Sequence, residues 1–134
     1  MSRISILFFF FFALAVPSMA ALPPLDDSER RQDSTNVFRG EIRAIYTRKK
    51  KLGEEASNLE LLLEIEVFSS EKGELAKGRI IHVHCWVIDQ RPEGWVGDGG
   101  QRPHPREGAK GLFFVKQSQN GEYRLLHPNG WELL

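Results

Sequence analysis

The sequence has almost no cysteine: Cys85 is the only one among its 134 residues. A disulfide needs two cysteines, so a disulfide framework within this chain, the usual support of a small exported domain, is excluded. A chain of this length is sufficient for one domain with a modest hydrophobic core. The fold must therefore be stabilised by the packing of apolar side chains.

The sequence also lacks an excess of either charge. Lysine and arginine together number 18, aspartate and glutamate also number 18, and the formal net charge is zero. A protein with this balance has no overall electrostatic attraction to nucleic acid or to an anionic membrane. We therefore expect neither a nucleic-acid partner nor a membrane-bound state.

The short motifs that mark common enzymes are absent too. The sequence contains no GxSxG, HExxH or CxxC motif, and no glycine-rich stretch directly follows a strand and opens a helix, as a phosphate-binding loop does. Paired carboxylates such as Glu64 and Glu66 lie two positions apart, which is typical of the exposed face of a strand. We expect a protein that has no catalytic activity and needs no cofactor.

The first twenty residues differ from the rest of the chain. Arg3 precedes an apolar run over residues 4–16, and Pro17 is followed by the small residues Ser18 and Ala20. This pattern is typical of a secretory signal peptide that is cleaved after Ala20. The apolar run is well short of the roughly 20 residues that a membrane-spanning helix needs. Residues 1–20 are therefore predicted to be a signal peptide, and the released protein is expected to be secreted or periplasmic.

The next segment, residues 21–35, has few apolar side chains to bury. It contains Pro23 and Pro24, followed mostly by charged residues. This composition predicts a flexible N-terminal segment. A helical turn over residues 26–32 is the alternative, and the folded domain is expected over residues 36–134.

Hydrophobic and polar residues alternate through most of that domain, which is typical of β-strands with two different faces. Phe38, Ile42 and Tyr46 are expected to share one face of the first strand. The third strand is apolar on one face and carries both histidines and apolar residues on the other, so it is expected to be central in the sheet or covered on both sides. The pattern predicts an all-β fold, either a small barrel or a sandwich. Five strands are predicted, over residues 37–46, 59–67, 79–88, 111–116 and 122–127.

The connections between these strands are polar. The dipeptide Asn120-Gly121 predicts a two-residue hairpin turn between the last two strands. The basic run over residues 48–51 is expected in the loop between the first two strands, either as a solvated hairpin end or as a contact for a polyanion. The connection over residues 89–110 is the longest, and long loops in compact domains are often functional. We expect the binding surface in that loop.

Trp95 is the most distinctive residue of the long loop, because glycines flank it on both sides. A loop tryptophan can anchor a binding partner through its large, rigid surface, or it can cover an open end of the barrel as a plug. Three arginines share the loop. The candidate ligand-binding residues are therefore Trp95, Arg91, Arg102 and Arg106.

A His-x-His pair, His82 and His84, lies in the third predicted strand. Two residues apart in a strand, these side chains project from one face about 6 to 7 Å apart, so they can share a copper or zinc ion. His104 or His127 is the candidate third ligand. The alternative is that the histidines lie on a half-polar face and that the adjacent Cys85 is a buried apolar residue with an inert thiol.

Three segments carry a family resemblance: residues 37–42 (VFRGEI), residues 65–68 (IEVF) and residues 108–114 (GAKGLFF). Together they resemble the netrin-like domains related to tissue inhibitors of metalloproteinases, and small exported bacterial proteins of unknown function carry similar patterns. The resemblance implies a five-stranded barrel of the oligonucleotide-binding (OB) type. The inhibitors act through a disulfide-bonded N-terminal cysteine, which this chain does not have, so protease inhibition is not implied.

Together these observations predict an exported, monomeric all-β module. We expect it to bind another macromolecule or an envelope component through the loop over residues 89–110, without catalysis. The alternative function is a copper- or zinc-binding module centred on His82 and His84.

Overall fold

The computed structural model describes residues 22–134, so the predicted signal peptide lies outside the described residues. Within residues 22–134, no helix is long and apolar enough to cross a membrane. One short helix precedes six strands. These elements are α1 (Asp27–Asp33), β1 (Asn36–Lys51), β2 (Ser57–Lys72), β3 (Ile80–Gln90), β4 (Lys110–Gln117), β5 (Tyr123–Leu125) and β6 (Trp131–Leu133).

The strands close into a barrel. Their order is β1-β2-β3-β5-β4, and β4 pairs again with β1 to complete the circle. All neighbours are antiparallel except β3 and β5, which run parallel. The short strand β6 pairs with residues 111–113 of β4, whereas β5 pairs with residues 115–117, and β6 does not belong to the closed circle. The prediction of an all-β fold is confirmed, and of the two predicted architectures the structure forms the barrel.

The barrel interior is filled by every second side chain of the long strands, as the alternation predicts. Three aromatic rings form its centre, with centroid distances of 5.3 Å between Phe38 and Phe113 and 5.8 Å between Phe113 and Trp131. Aliphatic side chains from the other strands surround these rings. They include Leu61, Leu63, Ile65 and Val67 of β2 and Ile81, Val83 and Val87 of β3.

A β-bulge in β1 changes which side chains face the core. Ile42 pairs with Ile65, but the next pair joins Ala44 to Glu64, so Arg43 is an extra residue without a partner. An extra residue shifts the alternation by one position. Ile45 therefore packs against the core, and Tyr46 is 55% exposed. The prediction that Tyr46 shares the inward face of Phe38 and Ile42 is wrong for this reason.

The segment over residues 22–35 contains helix α1, close to the helical turn predicted as the alternative to a flexible lead, and it contacts the barrel. Asp26 caps helix α1 by accepting a hydrogen bond from the Glu29 backbone N–H. The Arg30 side chain is buried with its guanidinium 4.3 Å from the centroid of the Phe114 ring. The Asn129 side chain also pairs with both backbone groups of Leu25, at 2.9 Å each.

One local prediction about the strands is corrected. The turn after β4 spans residues 118–122, and only Gly121 has a positive φ, of 88°, whereas a two-residue type I′ turn needs a positive φ at Asn120 as well.

The outward face of β3 is covered only in part: Gly100 and the His127 ring pack near Trp86, whereas Ile80 and His82 are exposed. β3 lies between β2 and β5 and is therefore central in the sheet, which is the other predicted alternative. The uncovered part of its outward face contributes to the site below.

Candidate functional site

The outward side chains of β1, β2, β3 and β5 form rows across the barrel surface. Glu60 of β2 pairs with Arg48 on one side and with Trp86 of β3 on the other. In the neighbouring row, Leu62 lies between Tyr46 and His84, and His84 pairs with Arg124 of β5. Paired residues of adjacent strands have side chains on the same face, so each row presents neighbouring side chains.

These rows line a cleft of about 460 Å³. Charged and polar side chains dominate its walls, with one indole ring among them. Its lining residues are Arg48, Lys50, Asn58, Glu60, His84, Cys85, Trp86, Glu122 and Arg124.

Two shallower depressions continue the cleft. One, of about 290 Å³, extends past Tyr46 and Leu62, and it shares Arg48, Glu60 and His84 with the cleft. The other, of about 270 Å³, extends past His82 and shares His84 and Glu122 with it. We call the cleft together with these two depressions the outer groove. Because His84 contributes to all three parts, it lies at the centre of the groove.

Much of the positive charge in the outer groove is already neutralised within the protein. Arg48 forms an ion pair and two hydrogen bonds with Glu60, and Lys50 Nζ lies 3.7 Å from the other oxygen of that carboxylate. The hydrogen bonds from Arg48 lower the pKa of Glu60, so Glu60 stays ionised and accepts hydrogen bonds. Within residues 22–134, neither Arg124 nor Glu122 forms an ion pair.

The indole of Trp86 is held in place by the long loop. The His127 ring stacks on Trp86 at a centroid distance of 5.3 Å, and His127 Nε2 lies 2.5 Å from Asp98 Oδ2. Asp98 also accepts a hydrogen bond from the Gly100 backbone N–H, and Gly100 pairs with Val87 of β3. Residues 98–100 of the long loop are thus bound to the outer face of β3, and the indole has fixed neighbours.

The candidate anchor Trp95 does not plug the barrel: it is 39% exposed. The guanidinium of Arg91 lies 4.8 Å from the centroid of its ring. Arg91 in turn donates hydrogen bonds to the Ser57 carbonyl, at 2.8 Å, and to the Asn58 side chain. Since Asn58 lines the cleft, the Arg91 and Trp95 side chains lie next to the outer groove.

The other two candidate arginines are not part of this surface. Arg102 donates a hydrogen bond to the Leu22 carbonyl at 2.8 Å and so connects the loop to the N-terminal segment. Arg106 lines a separate depression beside Trp131 and Leu133. Of the four predicted ligand-binding residues, the structure therefore brings Arg91 and Trp95 together and leaves Arg102 and Arg106 elsewhere.

The histidines do not assemble into a three-ligand set. His82 Nε2 lies 3.4 Å from Glu64, and His84 lies at the groove centre. His104 Nδ1 lies 3.0 Å from the Pro105 carbonyl oxygen in the depression beside Trp131, and His127 pairs with Asp98. Among residues 22–134, no group of three or more histidine, cysteine, aspartate or glutamate side chains is arranged to hold a metal ion.

The thiol of Cys85 faces the barrel interior and packs against the core. Burial raises its pKa to about 12. Only the thiolate is an effective nucleophile or metal ligand, so at neutral pH this side chain acts as a small apolar group.

The sequence pattern missed most of the groove, although it contained two signals. The basic run over residues 48–51 was expected in a loop, but it lies within β1, which continues to Lys51. The alternation of β3 places His84 and Trp86 on one face. What the pattern lacked was the register that sets Glu60 between Arg48 and Trp86.

Comparison with known proteins adds no assignment. The chain matches no family model, no curated protein and no solved structure. The netrin-like resemblance therefore stays an interpretation of the sequence, and the outer groove is the main structural feature from which a function can be argued.

Proposed function

We propose that this protein is an exported, non-catalytic binding module that holds an extended polymer of the cell envelope or its surroundings in the outer groove. The observation that carries the proposal is that three neighbouring depressions on β1, β2, β3 and β5 all have His84 in their lining. Export itself rests on the predicted signal peptide at residues 1–20.

The shape of the groove favours an extended ligand over a compact one. Small-molecule sites are concave pockets that enclose most of their ligand. The outer groove is instead a set of three neighbouring depressions that share lining residues, and Arg91 and Trp95 lie next to it beside Asn58. A chain of several repeating units can occupy such a set of depressions, each unit contacting a different row of side chains.

The proposal keeps the five-stranded barrel of the OB type implied by the family resemblance. The strand order β1-β2-β3-β5-β4, with parallel β3 and β5, supports it. In barrels of that type the ligand lies on the face formed by strands 2 and 3, flanked by the loops that follow strands 1 and 4. The lining of the outer groove includes Glu60 of β2, Trp86 of β3 and Glu122 of the loop after β4, which supports this part of the proposal.

Nuclear magnetic resonance titration of the isotope-labelled protein tests the proposal. The probes are four oligomers: a neutral oligosaccharide, an acidic oligosaccharide, a single-stranded oligodeoxynucleotide and an acidic peptide. We expect at least one of them to shift backbone signals of β2, β3 and β5, centred on His84. If none of the four binds, or if the shifts map to the depression beside Trp131 and Arg106, the proposed function is wrong.

A further inference from the structure

Resting on this proposed function, we infer that the ligand of the outer groove is an acidic oligosaccharide in which carboxylate groups are separated by uncharged sugar units. One sugar carboxylate pairs with the guanidinium of Arg124. Sugar hydroxyls are held by Asn58, Glu60 and Glu122, and a sugar ring lies against the Trp86 side of the cleft. The inference follows from the mixture of hydrogen-bond donors and acceptors in the groove and from the small number of its cations that have no ion pair.

The cleft offers hydrogen-bond donors and acceptors side by side. The guanidinium and ammonium groups of Arg48 and Lys50 only donate, the carboxylates of Glu60 and Glu122 only accept, and the Asn58 amide does both. A sugar presents several hydroxyls, and each hydroxyl donates one hydrogen bond and accepts others. A cleft lined by both donors and acceptors can therefore pair with more of the hydrogen-bonding groups of a sugar than a cleft lined by cations alone or by carboxylates alone.

The net charge of the cleft argues against a polynucleotide. Its three cationic side chains face two carboxylates, and two of those cations already interact with Glu60. Arg124 is the one cation of the cleft that has no ion pair within residues 22–134. A polynucleotide carries a phosphate charge on every nucleotide and is bound mainly by clusters of unpaired lysine and arginine. One available guanidinium instead suits a polymer with a single negative charge over the length of the cleft.

The position of the groove argues against an extended peptide. Peptides commonly bind as an added strand, with main-chain hydrogen bonds to the exposed edge of a sheet. The floor of the outer groove is β2, which pairs with β1 and β3, together with β3 at His84, which pairs with β2 and β5, so the backbone groups beneath the cleft are already used within the barrel. Recognition in the groove therefore depends on side chains.

Isothermal titration calorimetry on the purified protein tests the inference. The main probe is a hexasaccharide that alternates glucuronate with N-acetylglucosamine. The comparison probes are the uncharged hexasaccharide of N-acetylglucosamine, a single-stranded oligothymidylate and an oligoglutamate. We expect only the glucuronate hexasaccharide to bind appreciably.

Two matched variants report on the role of charge. Arg124→Gln removes the proposed partner of the carboxylate, and we expect it to weaken binding of the glucuronate probe by about 10-fold or more. Arg39→Gln is the control, because Arg39 is an exposed arginine of β1 that pairs with Glu71 away from the groove. It should leave the affinity unchanged. Since Arg124 is itself exposed, its replacement should not disturb folding.

The possible results separate this inference from the proposed function. Equal binding of the uncharged hexasaccharide, or equal loss of affinity in both variants, overturns the role of the carboxylate. Preferential binding of oligothymidylate or oligoglutamate at the groove overturns the oligosaccharide assignment but leaves the groove as the binding site. If no probe binds more tightly than roughly 1 mM, both the inference and the proposed function are wrong.

Discussion

The attachment of the long loop to the barrel should depend on Gly100. Its φ is +79°, and a Cβ added there would lie 2.8 Å from the Trp86 carbonyl oxygen and 2.9 Å from the Val87 Cα. Both neighbours are backbone atoms of β3, so neither can move aside by changing a rotamer. The substitution Gly100→Ala therefore tests whether residues 98–100 bind to the outer face of β3 as the structure shows.

The expected loss of stability is the sum of two effects. A residue with a Cβ in the left-handed region costs about 1 to 2 kcal/mol. Overpacking against backbone costs about 1 to 3 kcal/mol more. The Gly100→Ala variant should therefore lose roughly 2 to 5 kcal/mol of unfolding free energy. The loss is smaller if residues 98–100 detach from β3, because it then cannot exceed the free energy with which they bind there. A loss of about 3 kcal/mol would lower Tm by roughly 10 °C.

Gly99→Ala is the matched control. Gly99 directly precedes Gly100, its φ lies outside the left-handed region, and an added Cβ meets no atom within 4 Å. Urea unfolding followed by circular dichroism measures both variants. Acrylamide quenching in a Trp95→Phe background, where the other remaining tryptophan, Trp131, is buried, reports whether Trp86 becomes more accessible in Gly100→Ala. If the two alanine variants agree within about 0.5 kcal/mol and quench alike, the close contact between Gly100 and Trp86 does not exist in solution.

Two further predictions concern the strands. Because the bulge at Arg43 turns Ile45 inward and Tyr46 outward, Ile45→Ala should cost about 1 to 3 kcal/mol of unfolding free energy while Tyr46→Ala costs less than about 1 kcal/mol. Chemical denaturation of both variants checks this. A larger loss of unfolding free energy in Tyr46→Ala than in Ile45→Ala would mean that β1 has no bulge at Arg43. Burial raises the pKa of Cys85 to about 12, so at pH 8 the native thiol should react with iodoacetamide at least roughly 100-fold more slowly than in the urea-unfolded chain. For the same reason Cys85 should stabilise the fold fully below about pH 8.5, and that contribution should decline as the pH rises toward 12. A native thiol that reacts as fast as the unfolded one would show that the Cys85 side chain is accessible.

The alternation of apolar and polar residues was sufficient to predict the fold class and most strand positions. In β2, the alternation from Leu59 to Val67 separates core residues from surface residues, and the structure follows it. The bulge at Arg43 was beyond this kind of inference. A bulge arises from how two paired strands bend around the barrel, and the residues on either side of it look like an ordinary strand.

The helical N-terminal segment shows a second limit of sequence patterns. Its composition is mostly polar and charged, which by itself predicts flexibility. In the structure, the buried Arg30 side chain packs on Phe114 and Asn129 pairs with Leu25, across more than 80 positions of the chain. A polar segment can be ordered in this way when distant residues satisfy its hydrogen bonds, and local composition does not contain that information.

For the candidate site, the sequence by itself determined the chemical groups and, in β2 and β3, the face of the strand on which they lie, because side chains alternate along a regular strand. Only the tertiary structure decided which groups meet. The pairing of β1, β2, β3 and β5 places Arg48, Glu60, Trp86 and Arg124 around one cleft, although they lie as far as 76 positions apart in the chain. Register is set by core packing and by bulges across the whole barrel, so the outer groove exists only once the barrel has closed.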